Sequence, residues 1–147
     1  MIVNSDSVVR PAITAPIRVL HLIDSPNRRG AELFALDLAA SLPAKAFESV
    51  VVSLYVPEDG TPLESPLLHR MDGHRGRLEK AFGVNWWLLG RVVREVRRHS
   101  TDVVISHGGA TLRYGAVLRF MMPGTRLITG VSVHRPTGLR PGCAHAL

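Results

Sequence analysis

The chain has 147 residues, room for one domain at roughly 100 to 200 residues per domain. Hydrophobic residues at 46% and charged residues at 20% exclude a disordered or fibrous chain, and the single cysteine, Cys143, excludes an intrachain disulfide framework or a cysteine-based zinc site. The net charge of +6 is unevenly placed: residues 1–73 hold 6 basic and 9 acidic side chains, residues 74–147 hold 12 and 3, and an anionic partner is expected for the second half.

No window reaches the roughly 18 uninterrupted apolar residues of a membrane span, and the first 20 residues lack a basic start and an apolar h-region, so a cytoplasmic protein is expected. Residues 1–16 sustain neither helical nor strand periodicity and read as a mobile leader. Arg18 to Asp24 is a short apolar run closed by Ser25-Pro26-Asn27, which suits a buried parallel strand. After Gly30, the positions Ala31, Phe34, Ala35, Leu38, Ala39 and Leu42 share a helical stripe that Pro43 ends. Ser49 to Val56 concentrates β-branched residues before a Pro57-Glu58-Asp59-Gly60 turn and reads as the second strand.

Leu63 to Met71 reads as a short helix and Arg75 to Lys80 as a short third strand, the latter weakened by Gly73 and Gly76. Asn85 can cap a helix from Trp86 to His99, with Leu89, Val92, Val93 and Val96 on one face and Arg91, Arg94 and Arg98 on another. Trp86 and Trp87 at its start are an interfacial anchor or core, and core is expected for at least one. Asp102 to His107 is the clearest strand, followed by Gly108-Gly109 and a helix from Leu112 to Met122 capped by Thr111. Arg126 to Val133 reads as one more strand, and residues 136–147 as an irregular tail. Strands alternating with helices, each strand apolar on both faces, predict an α/β fold, a Rossmann-like three-layer sandwich with a parallel sheet over residues 17–135.

Ligands of such sheets bind outside the carboxyl ends of the strands, which selects the loops 24–30, 107–110 and 134–138. In the first, Arg28, Arg29 and Gly30 lead into a helix whose free N–H groups can receive a phosphate or a sugar hydroxyl. In the second, His107 stands beside Gly108 and Gly109, an imidazole donor with an open approach. His134 closes the third. Neither a Gly-x-Gly-x-x-Gly nor a Walker loop is present, so a dinucleotide dehydrogenase and a P-loop ATPase are not supported. His69 and His74 are five apart with Gly73 between them, unsuited to a zinc pair on one helix, and no metal site is expected.

Two blocks carry a resemblance. Arg18-Val-Leu-His-Leu-Ile-Asp24 followed by Arg29-Gly30-Ala31-Glu32 resembles the start of glycosyltransferase family 4 enzymes, which usually show Gly-Gly-Ala-Glu there. The arginine-rich helix running into Asp102-Val-Val-Ile-Ser-His107 is similar to that family's Pro-Asp-Val-Val-His-x-His segment. The resemblance implies the GT-B fold of two Rossmann-like domains, here an incomplete N-terminal, acceptor-side half. It implies retaining transfer from a nucleotide sugar to an acceptor such as a glycan or lipid, without an essential metal or further cofactor. It sets Gly30 near the donor phosphates, His107 at the end of the fourth strand and His134 as a catalytic histidine. Arg29 replaces the usual first glycine and Thr101 the usual proline. A donor domain with its paired glutamates is not within these 147 residues, which implies a truncated chain inactive alone. The competing reading is a stand-alone module binding an anionic ligand, an acidic partner or an anionic membrane surface at the inner face. A nucleic-acid partner is not expected, because no reader motif is present and aromatic residues total 5%.

Overall fold

The computed structural model describes residues 15–57, 62–76, 79 and 83–130. Five strands form one parallel sheet: β1 (Ile17–Ile23), β2 (Phe47–Tyr55), β3 (Leu68–Gly73), β4 (Val103–His107) and β5 (Arg126–Gly130), in the order β3-β2-β1-β4-β5. Among the described residues three helices with both ends defined accompany them, α1 (Gly30–Ser41), α2 (Trp86–Arg98) and α3 (Gly109–Met121).

Strand alternation sends successive side chains to opposite faces, and two apolar clusters divide on that period. Ile23 and Val51 pack with Ala35 and Ala39 of α1 on one face. Leu20, Leu22, Val52, Leu54 and Val104 pack on the other with Leu88, Leu89, Val92, Val93 and Val96 of α2 and Tyr114 and Leu118 of α3. Helices therefore cover both faces, which is the α/β, Rossmann-like sandwich expected from the sequence. The chain keeps α3 close to the sheet by omitting a side chain at Gly115, where a Cβ would come within 2.6 Å of Ser106 Oγ.

Several local expectations are corrected. Leu63 to Met71 is not a helix: a turn at Pro66-Leu67 precedes β3, whose register pairs Val51 with Leu68 and Val52 with His69. Pro66 donates no N–H, and pairing with β2 supplies the hydrogen bonds that weak local propensity does not. No strand occupies residues 75–80 as far as they are described; the chain leaves the sheet at Gly73, whose carbonyl accepts from Val56 N at 3.2 Å. Thr111 is not a cap. The third helix starts at Gly109 with Gly108 as its N-cap, and the Thr111 hydroxyl donates back to the Gly108 carbonyl at 2.9 Å from inside the first turn. Neither Trp86 nor Trp87 is core, at 63% and 67% exposed, because they precede the stripe that starts at Leu88. Phe34 is likewise 58% exposed. Asn85 does cap α2, its side chain accepting from Trp87 N and Leu88 N. The strand expected to Val133 is seen to Gly130; residues 131–133, the leader through residue 14 and the tail at 136–147 lie outside the described residues.

Candidate functional site at the carboxyl edge of the sheet

The strand order reverses direction at β1. The chain moves from β1 outward to β2 and β3, then returns to place β4 on the other side of β1. A crevice opens between the loops of two such strands because their helices leave to opposite faces. Here α1 follows β1 on one face and α3 follows β4 on the other, so the loops at 24–30 and 107–109 are neighbours.

The first loop is anchored by its backbone. The Asp24 carbonyl accepts from Leu54 N and Tyr55 N at 3.1 and 2.9 Å, and the Pro26 carbonyl accepts from Leu63 N at 2.7 Å. Ser25 and Asn27 are buried, with Asn27 Nδ2 donating to Ser25 Oγ at 2.9 Å. With these holding the base, Arg28, Arg29 and Gly30 are exposed at the rim. Arg29 is the N-cap of α1 with no side-chain cap bond to the helix. Gly108 at the start of α3 also provides no side-chain cap. Neither N-cap side chain satisfies first-turn amides at α1 or α3, although the Glu32 N–H is taken by its own carboxylate, whereas α2 is capped through Asn85.

His107 ends β4 as expected, but its ring is buried, with an edge contact to Phe34 of α1 at 6.0 Å between centroids. Its Nε2 lies 3.1 Å from Nδ1 of His21, a residue the sequence reading did not single out. Buried rings 5.3 Å apart and nearly parallel make one of the two nitrogens the donor and the other the acceptor. Burial, together with the His107 charge, lowers His21 to about 4, and burial lowers His107 as well, so both are neutral near pH 7. Gly108 is half-buried and Gly109 exposed. Gly108 has φ 99° and ψ 164°, a conformation open to glycine alone, and this carries the chain from the buried histidine to the rim.

Two further features escaped sequence reasoning. Glu32 in the first turn of α1 is buried, which raises its carboxyl above the usual range against the opposing pull of its own N–H and of Arg29. Beneath the edge, Tyr55 OH donates to Glu79 and lies 2.7 Å from Tyr114 OH, which accepts from Asn85 N at 3.1 Å. Burial raises both phenols, and they stay protonated. Arg75 lies over the Tyr55 ring at 4.5 Å and pairs with Asp24 at 2.5 Å, tying this network to the first loop. The Arg-Arg-Gly-Ala-Glu run at 28–32 hinted at Glu32, but no local signal joins Tyr55 to Tyr114, 59 residues apart. The structure thus gathers Arg28, Arg29, Gly30, His107, Gly108 and Gly109 at one edge. His134 lies outside the described residues.

No helix of the described residues is long and apolar enough to cross a membrane. Comparison with curated proteins gives no match. The family model Glycosyltransferase Family 4 matches residues 28–141, a span that starts at the rim of the first loop and includes all three helices and the strands β2 to β5. A Rossmann-like sheet with two uncapped helices meeting at its switch point, matched over most of its length, places the chain in glycosyltransferase family 4.

Proposed function

We propose that this domain forms the acceptor-side wall of a GT-B cleft in a retaining enzyme that transfers a sugar from a nucleotide sugar to a glycan or lipid acceptor. The convergence of two uncapped helix N-termini and the Arg28-Arg29-Gly30 rim at one crevice carries this reading, since amides and guanidinium groups complement phosphate and sugar oxygens. In this assignment the rim faces the donor phosphates, the neutral His21–His107 pair supports the crevice floor, and His134 serves as a catalytic group. No metal or further cofactor is assigned to the transfer. Rate in group transfer depends on holding donor against acceptor, and we assign the donor pocket to a second Rossmann-like unit beyond these residues. The 147-residue polypeptide by itself is expected to bind ligand without turnover; sustained transfer from any nucleotide sugar would overturn the division of labour.

A peripheral position at an anionic membrane face is a second reading, favoured by the exposed Trp86 and Trp87 at the start of the basic helix α2 and by Arg91 stacked 5.0 Å over Trp87. One pair of variants separates the two. Arg29→Glu is expected to weaken phosphate or nucleotide binding at the rim about tenfold or more by calorimetry while moving stability by only about 0.5 kcal/mol. Arg94→Glu on α2 is expected to leave nucleotide binding unchanged and to reduce co-sedimentation with anionic vesicles. Equal loss of nucleotide binding in both variants would mean that binding follows overall charge rather than a defined crevice.

A further inference from the structure

At the opposite, amino-terminal edge of the sheet, three side chains from two elements meet. His69 lies near the start of β3, while Glu95 and His99 lie one turn apart at the end of α2. Their ligand atoms all fall within 4.8 Å of one another, and the two imidazoles meet edge to face at 5.4 Å between centroids. Glu95 Oε2 and His99 Nε2 are shielded from solvent, 3.4 Å apart, and neither makes a hydrogen bond among the described residues. The two have the i, i+4 spacing of a helix ion pair, yet no hydrogen bond joins them, and polar atoms shielded from solvent without one are costly. A cavity of about 170 Å³ adjoins the two histidines, with Thr101, Arg18 and Glu48 also in its lining.

We propose that His69, Glu95 and His99 form a divalent-metal site of the zinc class that clips the end of α2 to the edge strand β3. Two imidazole nitrogens and one carboxylate oxygen are the donor set of three-ligand zinc sites, with the cavity leaving room for water as the fourth ligand. Ligand atoms around zinc stand roughly 3.4 Å apart, so small side-chain adjustments close the cluster. The position favours a cation, because the carbonyl end of α2 carries its negative dipole and His99 is its C-cap. Nearby guanidinium groups have anionic or carbonyl partners: Arg98 lies 3.9 Å from Glu95 Oε1, leaving Oε2 toward His99, Arg70 pairs with Asp72, Arg18 with Glu48, and Arg91 donates to the Met71 carbonyl. The site is remote from the carboxyl edge, and its role is to hold α2 on the sheet. In the sequence His69 is weighed only with His74 and no metal site is expected; its meeting with Glu95 and His99 depends on the pairing of β3 with β2, which no local signal displays.

The full 147-residue protein, stripped with a chelator, is titrated with zinc chloride and separately with cobalt chloride. One ion per chain is expected, with visible Co²⁺ absorption bands and a rise in Tm of about 10 °C at a hundredfold excess over Kd. His69→Asn, Glu95→Gln and His99→Asn should each weaken binding about a hundredfold or more, given that loss of outer-shell partners alone costs about 10- to 100-fold. His74→Asn should bind as the unaltered chain does. In the unaltered protein, zinc should protect His69 and His99 from diethylpyrocarbonate, read by mass spectrometry, which decides the matter even where a variant fails to fold. Absence of saturable binding below about 100 μM, stoichiometric binding that survives Glu95→Gln and His99→Asn, or modification of both histidines at saturating zinc would each overturn the site.

Discussion

Lowering the pH from about 6.5 to about 4 is expected to cost this domain roughly 3 kcal/mol of folding stability through His21 alone. His21 titrates lower in the folded protein than in the unfolded chain, where it is near 6.5. Across that window the unfolded chain therefore binds the additional proton, and stability falls as pH falls; above about 6.5 both states are neutral and the effect vanishes. The cause is geometric. Both rings are buried at the centre of the sheet, and the 3.1 Å contact between His21 Nδ1 and His107 Nε2 needs one nitrogen to accept, which a doubly protonated pair cannot do. Burial lowers His107 too, so the two losses run in the same direction. Urea unfolding at a series of pH values checks this, and His21→Leu should flatten the dependence. A free energy of unfolding unchanged between pH 7 and 4.5 would exclude a neutral buried pair.

The second large effect belongs to Gly108. Its φ of 99° with ψ of 164° is a region that L side chains essentially do not enter, and nothing lies within 4 Å of where a Cβ would stand. Gly108→Ala therefore isolates backbone strain from crowding, and a loss of about 1–3 kcal/mol is expected in the unfolding free energy. Because the relieved backbone would re-aim the first turn of α3, the phosphate or nucleotide binding proposed for the rim should weaken with it. The adjacent Gly109→Ala is the internal control: Gly109 is helical with the same open surroundings, and the change there should be neutral or stabilising by at most about 1 kcal/mol. Equal stability of the two variants would mean that the turn tolerates a side chain.

Both predictions turn on residues the sequence displayed but did not explain. His21 stands in the middle of an apolar strand, between Leu20 and Leu22, and nothing near it in the chain shows a partner. Its partner is 86 residues away and meets it because β1 and β4 are adjacent. His107 was legible as a strand-end residue, yet its burial and its contact with Phe34 depend on α1 crossing that face. Gly108 and Gly109 look alike in sequence, and only the departure of α3 from β4 gives the first a positive φ and the second a helical one.

What the sequence by itself determined is the alternation of apolar strands and helices, the cap at Asn85, the segments Ile17–Ile23, Phe47–Tyr55 and Val103–His107 in outline, and the position of the rim at Arg28 to Gly30. These are local properties: β-branched runs, side-chain caps and helical stripes act within a few residues, and period and composition display them. Tertiary structure alone decided that Leu68–Gly73 is an edge strand, because an Arg-, Asp- and His-containing segment becomes extended when β2 offers its free edge. It also decided that Trp86 and Trp87 face solvent and that the Tyr55–Tyr114 network exists. The same holds for the meeting of His69 with Glu95 and His99 at the amino edge. Each of these depends on which elements become neighbours, and that is settled by burying two apolar faces at once rather than by any stretch of the chain read alone.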